Sequence, residues 1–74
     1  MLMHNQGSAR HNRKMKVLSV IEANPGIFIE DLITKMSLNL QLSEQVVTDY
    51  LGELNRARLI KLDNAALYIR DITV

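Results

Sequence analysis

The sequence predicts a single small α+β domain, with helices over most of its length and a β-hairpin near its end. Two observations carry this prediction. Val47, Leu51 and Leu54 recur at a helical spacing. They follow Ser43, whose hydroxyl can cap a helix by accepting a backbone N–H. Two short β-rich segments then flank Asp63-Asn64-Ala65, and Asp-Asn is typical turn chemistry.

Two more helices are expected before this one. Helix 1 begins near Arg10 and ends at Asn24-Pro25-Gly26, because proline disfavours helix at the residue before it. Glu30 and Asp31 open helix 2, where carboxylates favour the positive end of the helix dipole. Segment 37–41 alternates apolar and polar residues, so it is either a strand or one more turn of helix 2. The other expected elements are a short strand at 27–29, helix 3 at 43–58 and hairpin strands at 59–62 and 66–72.

These elements predict a domain spanning residues 10–74, preceded by a flexible segment at 1–9 that is polar and has no periodicity. Its core should consist of the apolar residues that share the inner face of each element. They are Leu18, Ile21, Ile29, Leu32, Ile33, Met36, Val47, Leu51, Leu54, Leu59, Ile60 and Ile69.

Composition excludes several functional classes. The chain has no cysteine, so disulfides and thiolate metal sites are excluded, which suits a reducing cytoplasm. Its two histidines, His4 and His11, lie in the polar N-terminal part, and neither a metal nor a cofactor is expected. No catalytic triad, phosphate-binding glycine loop or carboxylate pair is present, so an enzyme is not expected. No apolar run approaches the ~18 residues of a membrane span.

Charge is distributed unevenly along the chain. Residues 1–16 contain Arg10, Arg13, Lys14 and Lys16 and no acid. The remaining residues contain five bases and eight acids, so the basic arm (residues 10–16) carries a charge opposite to that of the rest. Lysine and arginine neutralise phosphates when a protein binds DNA, so the arm is a candidate for backbone contact.

The stretch from Leu42 to Ile60 resembles bacterial, archaeal and phage winged helix-turn-helix regulators, which often carry L-S-x-x-x-V-x-x-x-L-x-x-L-x-x-A-G-L-I. Arg58 replaces the usual glycine, and the connection between Met36 and Leu42 is longer than in the common pattern. The resemblance covers about residues 15–72. The matching positions are Leu42, Ser43, Val47, Leu51, Leu54, Ala57, Leu59 and Ile60.

The resemblance implies double-stranded DNA binding in transcriptional control, with helix 43–58 in the major groove and the protein acting as a homodimer. The candidate nucleic-acid contacts are Arg10, Arg13, Lys14, Lys16, Gln45, Thr48, Asn55, Arg56, Lys61 and Arg70. Candidate dimer contacts are the apolar residues Leu38, Leu40, Tyr68, Ile72 and Val74.

An alternative is a winged-helix module that binds protein rather than DNA, because helix 3 carries Glu44, Asp49 and Glu53 where such helices usually carry bases. Gly52 leaves two interpretations open. It either permits close approach of a partner or is simply tolerated within the helix.

Overall fold

The computed structural model describes residues 5–70. Three helices and a three-stranded antiparallel sheet form an α+β domain, which confirms the predicted winged helix-turn-helix architecture of three helices and a hairpin wing. The elements are α1 (Asn5–Ala23), β1 (Ile27–Phe28), α2 (Ile29–Leu40), α3 (Glu44–Arg56), β2 (Ile60–Asp63) and β3 (Ala66–Ile69).

Helix α1 begins at Asn5 rather than near Arg10, so part of segment 1–9 is helical. No proline interrupts this stretch, and extending an existing helix adds one hydrogen bond for each residue fixed. The predicted break at the other end is confirmed. The Asn24 side chain donates to the Val20 carbonyl at 2.8 Å, and Gly26 has a φ of 84°, which favours glycine.

The sheet has the order β1-β3-β2, so the predicted short strand β1 pairs with the hairpin. Ile29, expected in that strand, instead opens α2, and its N–H donates to the Ala65 carbonyl at 2.9 Å. Asn64 and Ala65 form the two-residue turn of the hairpin with φ values of 53° and 69°. Two positive φ values are the signature of a type I′ turn, whose twist matches that of the paired strands.

Residues 37–40 of segment 37–41 prove to be helical rather than extended. Helix α2 continues through Leu40 and ends where Gln41 takes a φ of 56°. The N–H groups of Gln41 and Leu42 both donate to the Met36 carbonyl, and these hydrogen bonds close the last turn of α2.

Helix α3 has a defined capping motif at each end. The Ser43 hydroxyl accepts the Val46 N–H at 3.2 Å, which confirms the predicted cap. The helix ends at Arg56, two residues earlier than predicted, because Arg58 adopts the left-handed conformation with a φ of 62°. The Leu59 N–H then donates to the Leu54 carbonyl at 3.0 Å, as in a Schellman motif.

The core lies between the helices and the inner face of the sheet. Seven predicted core residues are buried: Ile21, Leu32, Met36, Val47, Leu51, Leu54 and Ile60. Five are only partly buried: Leu18, Ile29, Ile33, Leu59 and Ile69. The sequence prediction omitted five buried residues, which are Val17, Leu42, Tyr50, Ala66 and Leu67. Leu67 is buried because β3 is the central strand of the sheet.

Candidate nucleic-acid interface

Helix α3 buries one side and leaves the other open. Val47, Tyr50, Leu51 and Leu54 are buried. The sequence-predicted contacts on this helix, Gln45, Thr48, Asn55 and Arg56, are all exposed. Amide side chains can pair with adenine edges, and threonine can contact a base or a thymine methyl. One side of the helix therefore presents hydrogen-bonding groups to solvent.

Acids share this open side of α3. Glu44 and Asp49 are exposed, and the Gln45 amide donates to an Asp49 carboxylate oxygen at 3.0 Å. This bond joins residues one helical turn apart, so it orients the Gln45 amide along the helix. The bond uses one of the two N–H groups of the amide, so the second N–H and Oε1 remain able to pair with a base edge.

The basic arm is connected to α3 through Glu53. Both Arg10 guanidinium Nη atoms donate to the Glu53 carboxylate, and the Lys14 ammonium donates to Glu53 Oε1 at 3.0 Å. The Arg10 hydrogen bonds, followed by that from Lys14, hold the pKa of Glu53 at about 2, below its ordinary value of 4.5. Glu53 therefore stays ionised at neutral pH and offsets part of the charge of the arm.

A second contact fixes the same junction. The Arg10 guanidinium lies over the ring of Tyr50, 5.1 Å from its centroid. Tyr50 is only 3% exposed, so it belongs to the core and at the same time supports a charged group at the surface. Arg10 is therefore held in place by an aromatic ring and a carboxylate, both from α3.

The other two bases of the arm remain available. Arg13 and Lys16 are exposed on α1. Among the described side chains, no carboxylate lies within salt-bridge distance of either. The arm thus divides into two bases bound to α3 and two that face solvent.

The hairpin wing offers less to a nucleic acid. Its tip, residues 63–66, contains no lysine or arginine. Lys61 places its ammonium 5.8 Å from the ring centroid of Tyr68, its cross-strand partner, and Arg70 is exposed just beyond β3. The sequence-predicted wing residues therefore lie on the strands rather than at the tip.

The predicted contacts therefore lie on α1, α3 and the hairpin wing. The contact between α1 and α3 was not predicted. Glu53 and Tyr50 join α1 to α3, but Arg10 is 43 residues from Glu53 in sequence. No local pattern indicates a contact at that separation. Helical spacing alone could have placed Tyr50 on the buried side, three residues after Val47.

Comparisons with known proteins add no further identification. No protein-family model, curated protein or solved structure matches this chain. Within residues 5–70, no helix is both long enough and apolar enough to cross a bilayer.

Proposed function

We propose that this chain is a small cytoplasmic DNA-binding transcriptional regulator that inserts α3 into the major groove. The observation that supports this most is the row of exposed Gln45, Thr48, Asn55 and Arg56 along one helix. Thirteen helical residues span ~20 Å, enough to lie in a groove ~12 Å wide and contact several base edges.

Phosphate contact in this proposal falls to the basic arm. Arg13 and Lys16 reach the backbone directly, because they have no acidic partner among the described residues. Arg10 and Lys14 contribute only if a phosphate replaces Glu53 as their partner. Lys61 and Arg70 offer further contacts from the wing.

A salt titration of duplex DNA binding tests the proposal. Each phosphate neutralised adds about 0.9 to the slope of log affinity against log salt, so Arg13→Gln with Lys16→Gln should lower the slope by about 2. Lys35→Gln, an exposed base on α2, is the matched control and should leave the slope unchanged. No binding at low salt, or equal slopes in all three proteins, would refute DNA binding through the arm.

Direct readout by α3 has its own test. Gln45→Ala with Thr48→Ala should weaken binding to a selected operator by more than about tenfold and leave random duplex binding unchanged. Both residues are exposed, so the fold should be preserved. Equal loss on both DNAs would contradict readout by these side chains.

A second candidate function is a protein-interaction module with the same architecture. The observation that favours it is that Glu53 already neutralises part of the arm while Glu44 and Asp49 remain exposed on α3. Asp49→Asn separates the two functions. It should strengthen binding to random DNA by easing phosphate repulsion if α3 binds DNA, and weaken capture of a basic partner if α3 binds protein.

We also propose that two copies pair, because a 74-residue domain has a small core and one helix reads few base pairs. Among the candidate contacts that the structure describes, Leu38 is the most exposed at 78%, while Leu40 and Tyr68 are partly buried. Ile72 and Val74 lie outside the described residues. Sedimentation that finds only monomer at a few hundred micromolar would contradict pairing.

A further inference from the structure

A cleft runs between α3 and the hairpin wing. It has a volume of about 240 Å³, and most of its lining is apolar, including Ile29, Leu51, Ile60 and Leu67. Gly52 forms part of the wall on the α3 side and Leu62 part of the wall on the wing side. The cleft therefore opens on the exposed side of α3. Its mostly apolar lining offers few groups that could bind phosphate.

The Leu62 side chain is more exposed to solvent than leucine usually is. Its exposure is 55%, and it lies on β2, an edge strand of the sheet. Its cross-strand partner Leu67 is only 2% exposed. The two leucines share one face of the hairpin, which is buried at Leu67 and exposed at Leu62. An apolar partner placed against Leu62 would extend the core outward.

Gly52 leaves a notch in the opposite wall. Glycine weakens the interior of a helix relative to alanine. A Cβ added at Gly52 would meet only Arg56 Nη1, at 3.8 Å, so no packing within the described domain excludes a side chain there. The space is therefore open to a side chain from outside the domain.

Charge around the cleft selects the kind of partner. Glu44 lies one helical turn before Thr48, which lines the cleft, and Asp49 lies three residues before Gly52. Glu30 adjoins Ile29 in the neighbouring hollow beneath the hairpin turn. Glu44 and Glu30 also stabilise helix N-termini, but Asp49 lies within α3, where no helix end accounts for it. One base, Arg56, also lies beside the notch, with Nη1 3.8 Å from the Cβ position of Gly52. The three exposed acids outnumber it, so the surroundings of the cleft favour a partner that carries lysine and arginine.

We propose that this cleft binds a basic amphipathic helix of a partner protein. One apolar side chain of that helix fills the notch at Gly52 beside Leu62, and flanking lysines or arginines pair with Glu44, Asp49 and Glu30. This is the groove-binding mode in which apolar side chains at helical spacing anchor a peptide. The inference rests on the protein-interaction function and does not require DNA binding.

The test is an NMR titration of the full chain with a synthetic peptide of about 15 residues that has leucines on one helical face and lysines on the other. The amides of Gly52 and Leu62 should shift. A peptide with serine for each leucine keeps the charge and should bind at least tenfold more weakly, because burial of one leucine already corresponds to about that factor. A peptide with glutamate for each lysine should not bind.

Gly52→Leu fills the notch and should weaken binding of the leucine–lysine peptide at least tenfold. Ser37→Leu adds the same side chain at an exposed site on α2 and should leave the affinity unchanged. If Gly52→Leu does not fold, Leu62→Ser provides the same test from the other wall, since Leu62 is largely exposed.

Equal binding of the leucine and serine peptides would overturn the proposal, as would shifts confined to the acidic residues. Unchanged affinity in Gly52→Leu or Leu62→Ser would also overturn it. Capture of a basic partner by the unaltered protein tests the interaction function, and the salt titration tests DNA binding. A negative peptide result alongside such capture therefore identifies the cleft as the part that failed.

Discussion

Arg58→Gly should stabilise the domain. Arg58 has a φ of 62°, a conformation in which a non-glycine residue loses about 1–2 kcal/mol through contact of its Cβ with the backbone. Glycine relieves this contact but loses about 0.5–1 kcal/mol more conformational entropy on folding. The difference predicts a gain of about 0.5–1 kcal/mol in the free energy of unfolding. For a domain of this size, that raises the melting temperature by about 2–8 °C.

Thermal unfolding followed by circular dichroism measures this gain, and two control variants identify its cause. Arg58→Ala keeps the Cβ and removes the charge, so it should leave the melting temperature nearly unchanged. Arg56→Gly introduces glycine at the last residue of α3, where the backbone is helical, and should lower stability by up to about 1 kcal/mol. If Arg58→Gly and Arg56→Gly destabilise equally, the left-handed strain assigned to Arg58 is refuted.

Three further changes test other parts of the domain. Val47→Asp should abolish cooperative unfolding, because Val47 is 0% exposed and the carboxylate would be buried without a partner. Ala65→Gly should raise the free energy of unfolding by about 0.5–1 kcal/mol, since Ala65 has a φ of 69°; no change in the urea midpoint would contradict this. The Glu53 pKa is lower in the folded state, so its stabilisation is present above about pH 4.5 and is lost as the pH falls toward 2. Glu53→Gln should flatten that loss in melting temperatures measured from pH 5 to pH 2, and an unchanged profile would argue against the Arg10–Glu53 pair.

Elements with a local signal could be predicted from the sequence. Ser43 and the stripe of Val47, Leu51 and Leu54 define α3 because capping and helical spacing act within a few residues. Arg58 stands where the regulators that this stretch resembles usually have glycine, and its backbone is left-handed. Because glycine is usual where the backbone is left-handed, that position indicates the end of α3 from the sequence alone.

Features that depend on tertiary packing could not be predicted in the same way. Helix α1 has a broad apolar face, and whether Val17 or Leu18 points inward depends on how the helix is rotated against its neighbours. The junction of Arg10 with Glu53 required knowledge that α1 and α3 lie side by side. It changes the interpretation of the candidate site, because bases that appear free in the sequence are partly neutralised in the fold.

The hydrogen bond from the Ile29 N–H to the Ala65 carbonyl ties the tip of the wing to the first residue of α2. The hairpin is therefore not an independent flap. Its opening must also release an amide of α2, so the turn and the start of that helix should exchange their amide hydrogens together, as one cooperative unit. Any molecule that immobilises the wing will consequently protect the Ile29 amide, which provides a reporter within the domain for events at its surface.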